Sequence, residues 1–368
     1  MLLLIIFFLI IIFILPSLIL LFIFIYKKDN LKNFVNITFY NHEKTYFSNS
    51  KNNNYLDRLV FLPHPILNWS LNPNYKNIYG EIVHTKEGFR KTLSHDSIID
   101  YLDNHPNTFK IICIGGSSTH CLEMDKFEDT WPALVQQKLK NENCIVINFG
   151  VGAWTTMQSL IRCITWFPKI KPDLLIFYHA KNDLTPLVNG NLDEKFIYPD
   201  YQNVMTQFTE RYISGLPKYF FYIPLIFLLY YFFDFKKNRL GLLGIYKPYA
   251  EENELGMKRL DTQFFNSIIF RQQTIIDICK KNNCDVIYIP EIVREGVYKE
   301  TLESKIYPAM KNIVNNYDNC DWFEVKDLIP DSSDYFLDKM HFSLEGNKLF
   351  STIIANKIIE IKSIKKEL

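Results

Sequence analysis

Phe109-Lys110-Ile111-Ile112-Cys113-Ile114-Gly115-Gly116-Ser117-Ser118-Thr119 is a short apolar run closed by two glycines and a serine. Its length and its glycine boundary predict a buried strand rather than a helix. The same pattern recurs downstream: Cys144 to Phe149, Asp173 to Tyr178 and Asp285 to Ile289 read as further strands, and Asp321 to Val325 as a fifth. Between them lie helical patterns at Thr130 to Leu139 (Thr130 as cap, Pro132 in the first turn), Thr155 to Trp166, Phe265 to Lys280 and Glu303 to Asn315. Ser343 caps a last helix running to about Ile361. Alternation of this kind predicts a three-layer α/β/α sandwich built on a mainly parallel sheet. Ligands of such sheets bind beyond the carboxyl ends of the strands.

Upstream, Met1 to Tyr26 carries no charged side chain and is almost wholly Leu, Ile and Phe, broken by Pro16 and Ser17. About 20 apolar residues suffice to cross a bilayer, so residues 1–26 are expected to form a transmembrane anchor. A cleaved signal peptide is the competing reading; it requires a shorter apolar core and a small-residue cleavage site, and none follows. Lys27, Lys28 and Lys32 follow the run and no basic residue precedes it, which taken alone places the body on the cytoplasmic side. That is a modest signal, and the side of the membrane stays open. Residues 27–108 form a polar lead-in rich in Asn, Tyr and His. Between Asp183 and about Leu260 the alternation stops. Within this insertion (about 184–260), Tyr219 to Phe233 is an aromatic run trailed by Lys236, Lys237 and Arg239. It is short for a span, so a membrane-interfacial segment, a lid and an ordinary core helix all stay open.

The chain of 368 residues is 48% hydrophobic and 22% charged, with formal net charge +1. That balance gives no reason to expect nucleic acid as a partner. Its seven cysteines show no metal-binding spacing and read as buried free thiols.

Four short stretches carry chemistry, and each alone is a weak signal. Gly115-Gly116-Ser117 places a serine at the end of the first strand, on a turn where the backbone comes close to a ligand. Asn148 to Thr155 is a second glycine turn. Tyr178-His179-Ala180-Lys181-Asn182-Asp183 brings a side-chain amide able to donate to an oxyanion. Asp338-Lys339-Met340-His341 spaces a carboxylate to reach the imidazole Nδ1, leaving Nε2 free to accept a proton from a hydroxyl. All four fall at predicted strand ends or at the start of the last helix.

In that order, the four stretches resemble the sequence blocks of the SGNH (GDSL-like) hydrolases, from about Phe109 to Ile361 with the insertion between. Pro63-His64-Pro65 through Gly88-Phe89-Arg90 is similar to the segment ahead of the catalytic domain in some bacterial members. The resemblance implies an SGNH-like domain over 109–365. It implies a serine esterase with Ser117 as nucleophile, His341 as general base and Asp338 as its orienting partner. The oxyanion hole would be the N–H of Ser117, the N–H of Ala153 and the amide of Asn182. Ser118 is the competing nucleophile. Gly116 stands where the family has aspartate, and Ala153 and Ala180 where it has glycine. No metal or organic cofactor is implied. The resemblance implies an ester substrate, an acylated glycan or lipid, and the apolar run at 1–26 with the aromatic insertion adds a membrane as the expected partner. An O-acyltransferase or O-acetyltransferase acting on a cell-envelope glycan, and a non-catalytic membrane scaffold of the same fold, are the alternatives. His84 reads as structural, and His120 and His179 as flanking the site without a catalytic role.

Overall fold

The computed structural model describes residues 60–64, 66–188 and 262–367, which fall within one compact unit. The expected anchor at 1–26, the start of the lead-in and the aromatic run at 219–233 lie outside them. Among the described residues, no helix is long and apolar enough to cross a membrane.

Five strands form one parallel sheet: β3 (Phe109–Gly115), β4 (Cys144–Asn148), β5 (Leu174–Tyr178), β6 (Asp285–Ile289) and β7 (Cys320–Trp322), in the order β4-β3-β5-β6-β7. Successive side chains on a strand point to opposite faces, so β3 feeds two cores. Ile112 and Ile114 enter one, and Ile111 and Cys113 the other. The first core is closed by α4 (Thr156–Ile170), α6 (Thr262–Lys281) and α8 (Tyr307–Val314) through Phe167, Ile275 and Met310. The second is closed by α3 (Trp131–Lys138) and α9 (Leu344–Glu367), which pack on each other, through Trp131, Phe350 and Ile354. Burial on both faces is why the strands read as continuous apolar runs. Two further helices matter for the site: α2 (Ser117–His120) directly after β3, and α5 (Lys181–Val188) just after β5.

Several elements differ from their sequence reading. β7 ends at Trp322, because the Phe323 N–H makes its last bond to Tyr288 O (2.9 Å) before the chain turns into a 3₁₀ turn at Lys326–Leu328. The helix expected over 303–315 begins earlier, as Val297–Thr301 (α7), and passes through a π-turn at Leu302–Ile306 into α8. α4 continues past Pro168 and stops at Lys171, which takes a left-handed conformation. Thr130 stands at the cap position of α3, but its hydroxyl donates back to Phe127 O (2.7 Å) and caps nothing. All seven cysteines are free thiols, six of them buried.

The described part of the lead-in, 60–108, packs into the same body. It contributes an antiparallel hairpin of β1 (Phe61–His64) and β2 (Asn68–Leu71) and the helix α1 (Ile98–Asn104). A two-stranded hairpin is marginal on its own in water. This one buries Phe61, Trp69 and Leu71 almost completely, each contributing about 1.5–3 kcal/mol. Hydrogen bonds complete the attachment: Trp69 Nε1 donates to Gly152 O (3.1 Å), Trp154 Nε1 donates to Trp69 O (3.1 Å) and Gln158 Nε2 donates to Leu67 O (2.9 Å).

Candidate active site

In the order β4-β3-β5 the chain reverses its direction of winding around β3, and the loops leaving β3 and β5 part to open a crevice there. Ser117 follows β3 and Asn182 follows β5, so the topology brings both to that point. The turn between β3 and α2 is tight. A Cβ on Gly115 would lie 2.4 Å from Tyr178 O, and one on Gly116 would lie 2.5 Å from Asn182 Nδ2. Glycine at 116 thus keeps the amide of Asn182 close to the serine turn, and an aspartate there would displace it.

Ser117 Oγ lies 2.7 Å from His341 Nε2, and His341 Nδ1 lies 2.6 Å from Asp338 Oδ2. Asp338 Oδ1 accepts the backbone N–H groups of Met340 and His341, both at 2.8 Å. The carboxylate is therefore fixed by the turn it opens. Its position assigns the proton to Nδ1 and leaves the Nε2 lone pair for the serine O–H. Ser118 is buried, and its hydroxyl has no hydrogen-bond partner among the described residues. The geometry brings Ser117, not Ser118, to the imidazole.

The expected oxyanion donors sit around the same turn. Asn182 Nδ2 donates to Trp154 O (3.0 Å), which fixes the amide plane. Ala153 has φ +61°, the left-handed region that favours glycine, at a cost of about 1–2 kcal/mol for a residue with a Cβ. Its turn is braced by Arg162, a buried cation whose guanidinium lies 4.3 Å from the Trp154 ring centre and donates to Phe149 O (3.1 Å). Ala180 needs no such strain; its N–H and that of Lys181 both donate to the buried carboxylate of Glu291 (3.0 and 2.8 Å).

Sequence reasoning passes over three residues here. Glu291 holds the start of α5, and Arg271 with Asp183 ties it to α4. Asp183 Oδ1 accepts from Thr156 N (3.1 Å), Thr156 Oγ1 (2.8 Å) and Arg271 Nη2 (3.2 Å). The third is Glu123, whose Oε1 lies 3.5 Å from His341 Nε2. Glu291 lies two residues past the end of β6, which is a usable signal. Nothing in the sequence around Glu123 marks it: it is aimed by Cys121, which turns the chain at φ +52°.

Burial works against a charged imidazole at His341, but the carboxylates of Glu123 and Asp338 outweigh it and hold its pKa above the usual histidine value. Burial would raise Asp338, yet its hydrogen bond to His341 and that ring's charge keep it well below the usual carboxylate range. Burial pushes Glu123 up. His120 and His84 lie outside the triad. Their Nε2 atoms face each other at 3.5 Å, His84 Nδ1 bonds Asn72 O at 2.7 Å, and burial drives His84 down to about 3. His179 is buried, with neither ring nitrogen hydrogen-bonded among the described residues.

A serine, imidazole and carboxylate in contact, beside a side-chain amide at the strand ends, now stand in the order read from the sequence. The chain resembles the SGNH hydrolases. No protein-family model and no curated protein matches it. Among solved structures it is similar to the psychrotrophic esterase EstA from Pseudoalteromonas sp., at 11% identity over 69% of this chain and 98% of that one, TM-score 0.43. It is similar to a GDSL-like lipase from Bacteroides thetaiotaomicron, at 11% identity over 74% and 98%, TM-score 0.39. A lipase/acylhydrolase from Enterococcus faecalis is a third, at 16% identity over 68% and 95%, TM-score 0.39.

Proposed function

We propose that this chain is a serine esterase of SGNH type that cleaves an acyl or acetyl ester through a covalent intermediate on Ser117. The observation that carries this reading is the unbroken relay from Ser117 Oγ to His341 Nε2 and from His341 Nδ1 to Asp338. His341 accepts the Ser117 proton as Oγ attacks the ester carbonyl, and Asp338 stabilises the imidazolium that forms. The oxyanion is received by the N–H groups of Ser117 and Ala153 and the amide of Asn182, each donor contributing about 100- to 1000-fold in turnover. His341 then returns the proton to the departing alcohol. Water, activated by the same imidazole, frees the acyl group; a sugar hydroxyl in its place would make the reaction an acyl transfer. The scaffold alternative loses ground, because a non-catalytic fold has no need of a 2.7 Å contact between Ser117 and His341. The apolar run at 1–26, long enough to cross a bilayer, supports a membrane surface as the setting of this reaction.

Mass spectrometry of the chain stopped during turnover of p-nitrophenyl acetate tests this reading. An acetyl group on the peptide bearing Ser117 is the expected result. Hydrolysis with no acylated intermediate, or none at all by folded protein, would overturn it.

The pH profile follows from His341, which serves as base only when neutral. With its pKa raised, activity should climb with pH along a limb lying above the ordinary histidine range of about 6.5. Stability runs the opposite way. A group raised on folding stabilises the fold fully below its unfolded pKa, and that contribution fades as pH rises through the folded value. Measured kcat/KM from pH 5 to 9 checks the first statement, and thermal melts over the same range check the second.

A further inference from the structure

The mechanism above leaves Glu123 without a task, although it is the second carboxylate on the imidazole. Its Oε1 is 3.5 Å from the very nitrogen that Ser117 Oγ contacts at 2.7 Å. His341 is thus flanked by Asp338 on Nδ1 and Glu123 beside Nε2. Two cations bear on this pair. Arg90 stands behind Glu123, its guanidinium donating to Met124 O, and Lys181, whose Nζ lies 4.6 Å from the Tyr298 ring centre, acts on His341 from α5. Glu123 keeps 28% of its side chain exposed, so it borders the open part of the site.

Proton return fixes where the alcohol must be. The leaving oxygen has to come within about 2.6–3.2 Å of Nε2, and Glu123 Oε1 borders the same nitrogen. A group on the second carbon of the alcohol, one bond beyond the carbon that carries the ester oxygen, therefore meets the Glu123 carboxylate. A plain alkyl group there would strip water from the carboxylate and return nothing, which is costly for a charge. A hydroxyl there would donate to it, in a charge-assisted bond about twice as strong as a neutral one. An anionic substituent would be repelled.

We propose that Glu123 is a specificity-determining residue that receives a hydroxyl of the alcohol part of the ester, so that the substrate is an ester of a neutral polyhydroxy alcohol. This rests on the esterase reading. In the step itself the Ser117 Oγ–acyl bond forms and the acyl–alcohol C–O bond breaks. The Ser117 proton passes through His341 to the alcohol oxygen. Glu123 accepts a hydrogen bond from the neighbouring hydroxyl and exchanges no proton.

The test compares kcat/KM for 1-acetylglycerol and ethyl acetate, using the full chain, Glu123→Gln and Glu123→Ala. The ratio of the two substrates cancels any general damage to the relay or shift of its pH profile. Wild type should favour the polyol ester by about tenfold or more. That preference should vanish in Glu123→Ala and be partly kept in Glu123→Gln, whose amide oxygen still accepts. A wild type with no preference overturns the proposal, as does a ratio unchanged in both variants while each still reacts with a fluorophosphonate. If wild type neither cleaves p-nitrophenyl acetate nor takes the fluorophosphonate, the esterase reading falls first and this inference with it.

Discussion

Ser117→Ala should abolish fluorophosphonate labelling and lower ester turnover by roughly a million-fold, while Ser118→Ala keeps its label. The size follows from the unit character of such relays: removing the nucleophile leaves only what the oxyanion donors and substrate binding supply. The choice between the two serines rests on geometry. Ser117 Oγ contacts the imidazole, whereas Ser118 is buried and its carbonyl accepts the indole N–H of Trp131 (3.0 Å). Replacing Ser118 should disturb packing near Trp131, and stability more than chemistry. Gel fluorescence of the labelled proteins decides it; label lost only from Ser118→Ala would refute the assignment.

Asp338→Asn should lower kcat by roughly 10,000-fold with the fold intact. The carboxylate accepts three hydrogen bonds, from His341 Nδ1 and from the N–H groups of Met340 and His341. An amide keeps one oxygen for the backbone and turns its NH₂ toward Nδ1. The imidazole must then hold its proton on Nε2, where it blocks acceptance from Ser117. Turnover of p-nitrophenyl acetate, read beside circular dichroism, measures this. A loss below tenfold in folded protein would show that Asp338 does not set the tautomer.

The sequence makes the sheet legible because each of its longer strands is buried on both faces and bounded by a turn. β3, β4, β5 and β6 all emerge as runs of Ile, Val, Leu and Phe. β7, read as a fifth strand at 321–325, is placed less sharply: it is three residues at a sheet edge, half-buried, and its composition carries little pattern to fix its bounds. The triad is legible for a different reason. Asp338 and His341 lie in one turn, so their spacing encodes their contact, and Ser117 follows the clearest strand. Glu123, Glu291 and Arg271 act through distances set by the folded chain. Glu123 reaches His341 across more than 200 positions of sequence, aimed by a left-handed Cys121 that no local pattern announces. The strain at Ala153 leaves only a faint trace, an alanine standing where the resembling family has glycine.

The paired indoles of Trp69 and Trp154 bear on what counts as the smallest inheritable unit of this fold. A chain beginning at Phe109 would hold the whole sheet and every residue of the relay. It would also leave the Gly152 carbonyl without its donor and the Trp154 indole without its acceptor, in the turn that presents the Ala153 N–H. The hairpin at 61–71 is thus a keystone rather than a spacer. Any duplication, fusion or domain shuffling that separated it from the sheet would transmit the proposed relay intact in a body unable to hold the Ala153 turn in place.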